Sequence, residues 1–192
     1  MGLYDRQESF HLDTNISICI VGLGGIGFWV AKFAAMSGIG KIHLYDPDVI
    51  DETNLNRISV PIEALGMNKT KVAKRVINAI RPECIVYSLP FILQPHTYTK
   101  TDWIIDCTDK IQSQIDNQKI AKMNGSKYLK AGYNGLHITI SNSVAEWGEA
   151  PDGYTIDPSW VVPSTIVASL TISKILKYHE SECSLDISNI FK

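Results

Sequence analysis

No two of the four cysteines (Cys19, Cys84, Cys107 and Cys183) stand in a Cys-x-x-Cys pair, which excludes a zinc ribbon and a dithiol redox motif. Cys19 and Cys107 fall in apolar runs and read as inert core thiols, a use of cysteine that fits the cytoplasm. No apolar run reaches the ~20 residues that a membrane span needs. The nearest approach, residues 16–31, holds four glycines, and acidic Asp5, Glu8 and Asp13 precede it where a secretory leader carries basic residues. Neither charge sign is in surplus. Eighteen Lys and Arg against twenty Asp and Glu give a formal net charge of −2, so bulk electrostatics recruit neither nucleic acid nor an anionic membrane. There is also no repeat, no linker and no Tyr-x-x-x-Lys pair. The expectation is a single domain over residues 1–192, whose last part, 181–192, is a polar tail.

What is present centres on residues 16–57. Ile16–Val21 is a short apolar run rich in β-branched residues, suited to a buried parallel strand. Gly22-Leu-Gly24-Gly25-Ile-Gly27 follows and leads into an Ala-rich helix with Gly38 as its expected C-cap. Gly-x-Gly-x-x-Gly between strand and helix is a phosphate fingerprint. The first glycine turns the chain, the second lets backbone approach the phosphates, and the third lets helix and strand pack closely. The phosphates then lie at the helix N-terminus, where free N–H groups and the dipole favour anions. Asp46 ends a second strand nineteen residues after Gly27, where a carboxylate can take ribose hydroxyls.

Further along, residues 48–66 read as a loop or irregular helix, and Lys69–Ile80 as an amphipathic helix whose apolar stripe is Val72, Ala73, Val76, Ile77 and Ile80. Lys69 falls on the inward side near the helix start, so it needs an anion such as phosphate or an escape to solvent. Residues 84–89 read as a third strand and 95–100 as a short helix. Residues 103–109 form a fourth strand ending on Asp106 and Asp109. Ligands of open α/β sheets bind beyond the carboxyl ends of the strands. Asp109 is therefore either a Mg²⁺ ligand in the crevice of the glycine loop or an N-cap for a helix over 111–123. Residues 127–133 and 137–145 read as strands joined at Asn134-Gly135, a strong hairpin signal. Residues 162–178 read as a buried last helix. The fold class expected is α/β: a Rossmann-like, mostly parallel sheet with helices on both faces and an antiparallel C-terminal part.

Arg6-Gln7, the glycine loop with its doubled Gly24-Gly25, Asp46-x-Asp48, Asn54-Leu-Asn-Arg57, Gly66-x-x-Lys69 and Asp106-Cys-Thr-Asp109 occur in this order between Tyr4 and Tyr178. Together they resemble the adenylation domain of ubiquitin-activating-like enzymes, the ThiF/MoeB type. The resemblance implies an enzyme that binds ATP and Mg²⁺ and activates the C-terminal carboxylate of a small ubiquitin-like or sulfur-carrier protein, or of a peptide, as an acyl-adenylate. It implies that Arg57 and Lys69 hold the phosphates, that Asn54 donates to them, and that Asp109 carries the metal. Asp46 would fix the ribose, and Asp48 would order the loop or help the metal indirectly. Arg6 would reach the γ-phosphate from the other subunit of a homodimer.

The chain departs from that pattern in places. It has no zinc cysteines, and residues 146–161, the crossover loop, hold no cysteine for a thioester. Cys183 lies beyond the last helix and is a poor substitute. Lys110 stands where the family commonly has Asn, and Gln114 where Arg is usual. The reading is a minimal adenylating module that stops at the acyl-adenylate. Two alternatives use the same glycine loop: a non-catalytic partner within a heterodimeric activating enzyme, and a nicotinamide oxidoreductase, which leaves Arg57, Lys69 and Asp109 unexplained.

Overall fold

Seven strands form one sheet in the order β3-β2-β1-β4-β5-β6-β7 in the computed structural model, which describes residues 2–144, 158–177 and 182–191. The strands are β1 Ser17–Val21, β2 Lys41–Tyr45, β3 Ile85–Leu89, β4 Trp103–Asp106, β5 Lys127–Asn134, β6 His137–Ser141 and β7 Cys183–Asp186. The first five run parallel, and β6 and β7 are antiparallel to their neighbours. The helices are α1 Gly25–Ser37, α2 Lys69–Ile80, α3 Ile111–Asn124 and α4 Val161–Lys177.

Side-chain patterning explains the layers. β4 is buried at every position, and β1 at every position after Ser17, as central parallel strands covered on both faces must be. β6 alternates, with Ile138 and Ile140 buried between partly exposed His137, Thr139 and Ser141, so that one face meets the core. α1, α2 and α4 pack on the face that carries Ile18, Ile20, Ile42, Leu44 and Ile105. α3 covers the opposite face through Ile120 and Ala121, against Cys19, Val21, Ile104 and Tyr128. Ala31, Ala34 and Ala35 are fully buried and let α1 lie close to its neighbours. Gly38 ends α1 in the left-handed region (φ 105°), the conformation a glycine C-cap supplies. Asn134-Gly135 turns the β5–β6 hairpin, as its sequence signals.

Two segments differ from their sequence reading. Residues 95–100 are not helical. Thr97 closes a turn by bonding its N–H and hydroxyl to the Gln94 carbonyl and accepting the Gln94 N–H on its hydroxyl, and this local bonding competes with a helix. Residues 183–186 of the expected tail are β7, paired to β6 from His137↔Asp186 to Ile140↔Cys183, with Ile187 buried behind it. Residues 145–157, which take in most of the cysteine-free crossover loop 146–161 and the expected end of the strand 137–145, and Tyr178 at the expected end of α4 lie outside the described residues.

His43 is a misfit inside the sheet. It is buried on β2, stacked at 4.4 Å on the Tyr87 ring, and neither ring nitrogen has a hydrogen-bond partner among the described residues. Burial, and secondarily the Lys41 charge, push its imidazole down to about 4. The unfolded chain titrates near the ordinary 6.5, so it binds the proton first. His43 therefore favours the folded state fully above pH ~6.5, and that contribution is lost as pH falls toward ~4. Between pH 7.5 and 5 the loss is on the order of 2 kcal/mol. Urea unfolding at the two pH values should show this drop in the wild type, and His43→Phe should remove most of it. An equal drop in both proteins would assign the pH dependence elsewhere.

Candidate nucleotide site

β1 and β4 are adjacent, and the chain leaves them toward helices on opposite faces of the sheet: α1 after β1, α3 after β4. The crevice between such strands, at their carboxyl ends, is where open α/β sheets bind ligands. Gly22 occupies that point with φ 84°, and a Cβ there would lie 3.0 Å from the Cys107 carbonyl oxygen and 3.2 Å from the Thr108 nitrogen. Gly27 is more constrained. A Cβ on it would stand 1.9 Å from the Gly22 carbonyl oxygen, so the turn closes only with glycine. Gly25 abuts the Arg57 stem and Ser164, at 3.0 Å and 2.6 Å from its would-be Cβ. Gly24 meets nothing within 4 Å, so no protein atom requires it to lack a side chain. As N-cap it also gives α1 no side-chain oxygen, which leaves the first N–H groups of the helix for an anion.

The predicted carboxylates divide by environment. Asp46 is buried at the end of β2. It accepts the Leu23 N–H at 2.6 Å and the Asp48 N–H at 2.8 Å, so it braces the glycine loop from the side where a ribose would lie. Burial, opposed by those bonds, holds its carboxyl above the usual carboxylate range. Asp48 pairs with Lys69 at 3.0 Å, and Lys69 is buried at the first position of α2. Of the two outcomes expected for Lys69, an anionic partner or an escape to solvent, the structure shows an anionic partner, and it is this exposed aspartate. Asp106 is fully buried. It accepts the Thr108 N–H and hydroxyl, the Asn117 amide and the Tyr128 hydroxyl. It is a structural carboxylate, and burial together with its charge pushes the Tyr128 hydroxyl up, so that this phenol stays a donor. Asp109 is exposed and makes no hydrogen bond or ion pair with the described residues. It is not the N-cap of α3, a place taken by Lys110 with no side-chain cap bond.

Arg57 lies half-buried beside the glycine loop, its Nη1 donating to the Thr53 carbonyl and to Asn56 Oδ1 at 3.0 Å. The Trp29 indole donates to the Arg57 carbonyl at 2.8 Å and fixes its backbone to α1. Asn54 is buried, and its amide is already engaged. It donates to Asp51 at 3.0 Å and accepts the Asp51 N–H, a reciprocal cap on the 3₁₀ turn Glu52–Asn54. The site thus gathers Gly22, Gly24, Gly25, Gly27, Asp46, Asp48, Asn54, Arg57, Lys69 and Asp109 at one end of the sheet.

Arg6 is elsewhere. It sits on the 3₁₀ turn Asp5–Phe10, which docks on the far end of α1 through Tyr4 to the Ala35 carbonyl and Gln7 to the Ser37 carbonyl at 2.8 Å. Thirteen helical residues span about 20 Å, so Arg6 cannot reach the glycine loop of its own chain.

Two residues that the sequence reading missed complete the surroundings. Ser164, fully buried at the start of α4, donates to the Trp160 carbonyl, lies 3.1 Å from the Tyr133 hydroxyl and presses on Gly25. α4 therefore brings a second helix N-terminus to the glycine loop, and its positive end adds to that of α1. Lys130, buried on β5, donates to the Thr108 carbonyl at 2.6 Å. A lysine inside the apolar run Tyr128-Leu-Lys-Ala was the available signal for it.

The donor set suits a nucleotide triphosphate with a hard cation. The glycine cradle lies open at Gly24, Arg57 and Lys69 supply positive charge, and Asp109 is an unengaged carboxylate. A hard cation among phosphates needs only one or two carboxylates, which fits the finding that no group of three or more ligating side chains occurs among the described residues. No described helix is long and apolar enough to cross a membrane.

Residues 8–146 match the model of the ThiF family. The tRNA threonylcarbamoyladenosine dehydratase of Haemophilus influenzae is 32% identical over 121 residues, which cover 60% of this chain and 46% of that protein. Ubiquitin-like modifier-activating enzyme 5 of Oryza sativa subsp. japonica is 25% identical over 215 residues, covering 93% of this chain and 50% of the relative. The chain thus spans about half the length of these curated relatives. The crystal structure of E. coli MccB with ATP shares the fold at a TM-score of 0.75, with 23% identity, over 91% of this chain and 64% of that one.

Proposed function

This chain belongs to the ThiF family, and from that we propose that it is an ATP-dependent adenylyltransferase. Its substrate in this reading is the C-terminal carboxylate of a ubiquitin-like or sulfur-carrier protein, or of a peptide, and its products are an acyl-adenylate and pyrophosphate. The observation that carries the reading is the convergence of an open glycine cradle, Arg57, Lys69 and the unengaged Asp109 at the β1–β4 crevice. A carboxylate at neutral pH is already ionised, so attack on the α-phosphate needs no general base. The obstacle is bringing one anion to another, and the residues gathered here position and neutralise. Mg²⁺ held by Asp109 would screen the phosphates and stabilise charge developing on them. Arg57 binds phosphate from its place over Gly25, and Lys69 exchanges or shares Asp48 with it. Asp46 keeps the glycine loop in shape while its remaining lone pairs face the ribose. Asn54, whose amide nitrogen bonds to Asp51 and Thr53, acts by shaping the turn that carries Arg57.

Arg6 can serve only the site of a second copy, so the active unit in this reading is a homodimer. The near-neutral charge supports a protein or peptide substrate over a tRNA, on which the Haemophilus relative acts by name.

Thermal unfolding with ATP plus Mg²⁺, with NAD and with neither ligand tests the site before any carboxylate substrate is known. A ligand at a hundred times its Kd adds about 2.7 kcal/mol, a rise in Tm of roughly 5–10 °C for a domain of this size. The expected result is a shift with ATP and Mg²⁺ only. A shift with NAD alone would restore the oxidoreductase reading, and no shift with either would favour a non-catalytic partner.

A further inference from the structure

Lys130 is buried without a carboxylate partner, since no ion pair among the described residues includes it. The carboxylate on the adjacent strand, Asp106, bonds to Thr108, Asn117 and Tyr128 instead. An ammonium is costly to bury, and burial without a counter-ion calls for another use of its donors. Those donors go to main-chain carbonyls: Thr108 at 2.6 Å, Ala131 at 3.1 Å and Asp106 at 3.5 Å. Gln114, from the first turn of α3, shares the Thr108 carbonyl at 3.1 Å. The N–H and hydroxyl of the same residue bond to Asp106 at 2.9 and 2.7 Å. Thr108 is therefore held at its nitrogen, hydroxyl and carbonyl, and its nitrogen lies against Gly22. The next residue is Asp109, exposed and unengaged. Nothing fixes Asp109 through its own side chain, so its direction is set by the peptide that Thr108 begins.

We propose that Lys130 is a positioning residue: by holding the Thr108 carbonyl it aims the Asp109 carboxylate at the glycine loop, where the divalent cation binds. This inference rests on the reading of Asp109 as the metal carboxylate. Lys130 touches neither nucleotide nor metal and acts only through the turn between β4 and α3.

The test uses the full chain as wild type, Lys130→Met, Asp109→Ala and the double variant. Two quantities are read by thermal shift and calorimetry: ATP affinity without metal, and the Mg²⁺ concentration giving half-maximal stabilisation at saturating ATP. Partners that orient a metal ligand are worth roughly 10–100-fold in metal affinity. Lys130→Met should raise the Mg²⁺ requirement by about 10-fold or more while metal-free ATP affinity stays within about twofold, and it should change neither quantity further in the Asp109→Ala background. An unchanged Mg²⁺ requirement in Lys130→Met, with Asp109→Ala impaired, overturns the role of Lys130 and leaves the proposed function standing. An equal loss in both quantities also overturns it, because that marks general distortion. An unchanged Mg²⁺ requirement in Asp109→Ala removes the metal assignment and this inference with it. If Lys130→Met does not fold, Lys130→Gln takes its place under the same criteria, since it removes the charge and shortens the reach to the Thr108 carbonyl while keeping a polar side chain.

Discussion

Asp109→Ala should abolish ATP–pyrophosphate exchange while leaving the free protein as stable as the wild type. The two halves of that expectation come from one observation. Asp109 is exposed and bonds to nothing described, so its removal breaks no contact, and an exposed substitution of this kind shifts stability by no more than ~0.5 kcal/mol. In the proposed reaction the same carboxylate would hold the cation that allows one anion to approach another. Loss of one preorganised electrostatic group in a site of this kind costs roughly 10²–10³ in rate. Arg57→Ala should slow exchange as severely, but with some loss of stability, because the Arg57 stem packs on Gly25. Exchange at the wild-type rate in Asp109→Ala, measured with a working carboxylate substrate, would refute its role. A fall in Tm matching the fall in rate would reduce Asp109 to a structural residue.

Gly27→Ala and Gly24→Ala should fail in opposite ways. At Gly27 the new methyl would stand 1.9 Å from the Gly22 carbonyl oxygen, and neither backbone can retreat without opening the turn. Destabilisation of about 3 kcal/mol or more is expected, at the upper end of overpacking effects, or outright failure to fold. At Gly24 the methyl meets no protein atom, and the exchange of one N-cap for a poorer one costs no more than about 1 kcal/mol. Gly24→Ala should therefore fold and yet lose the ATP-dependent rise in Tm, since the methyl occupies the space that backbone leaves open for phosphate. Chemical denaturation, with and without ATP plus Mg²⁺, separates the two. A Gly24→Ala protein with a full ATP-dependent shift would move the phosphates away from this loop.

What the sequence made legible was mostly local. The glycine spacing specifies a turn whose geometry depends on a handful of neighbouring residues. α2 begins at Lys69 and ends before Arg81-Pro82 as its apolar stripe requires, and Asn134-Gly135 names its own hairpin. The central parallel strands β1, β2 and β4 were readable because burial on both faces leaves continuous apolar runs. β7 was not, because Cys-Ser-Leu-Asp has little intrinsic strand preference and is a strand only through its pairing with β6. Of the candidate site, spacing placed the residues together but said nothing of their partners. That Lys69 rests on Asp48, that Asn54 reciprocally caps Asp51, and that Asp106 is consumed by four hydrogen bonds while Asp109 is left unengaged are facts of three-dimensional packing. Lys130 was marked only by standing in the apolar run Tyr128-Leu-Lys-Ala, which names no partner, and Ser164 was invisible, since it reaches the site from a distant part of the chain.

That last dependence has a consequence for synthesis. The glycine loop leaves the ribosome well before the wall that Ser164 and α4 build against Gly25, which is encoded more than a hundred residues later. At translation rates of about 5–20 residues per second, on the order of ten seconds or more separate the two. During that interval the nascent strand–loop–helix unit lacks one side of its cradle, and its apolar α1 face waits for α4. Long-range closure of this kind slows folding. It also means that, in the proposed reading, a growing chain carries no finished nucleotide site until α4 has been made.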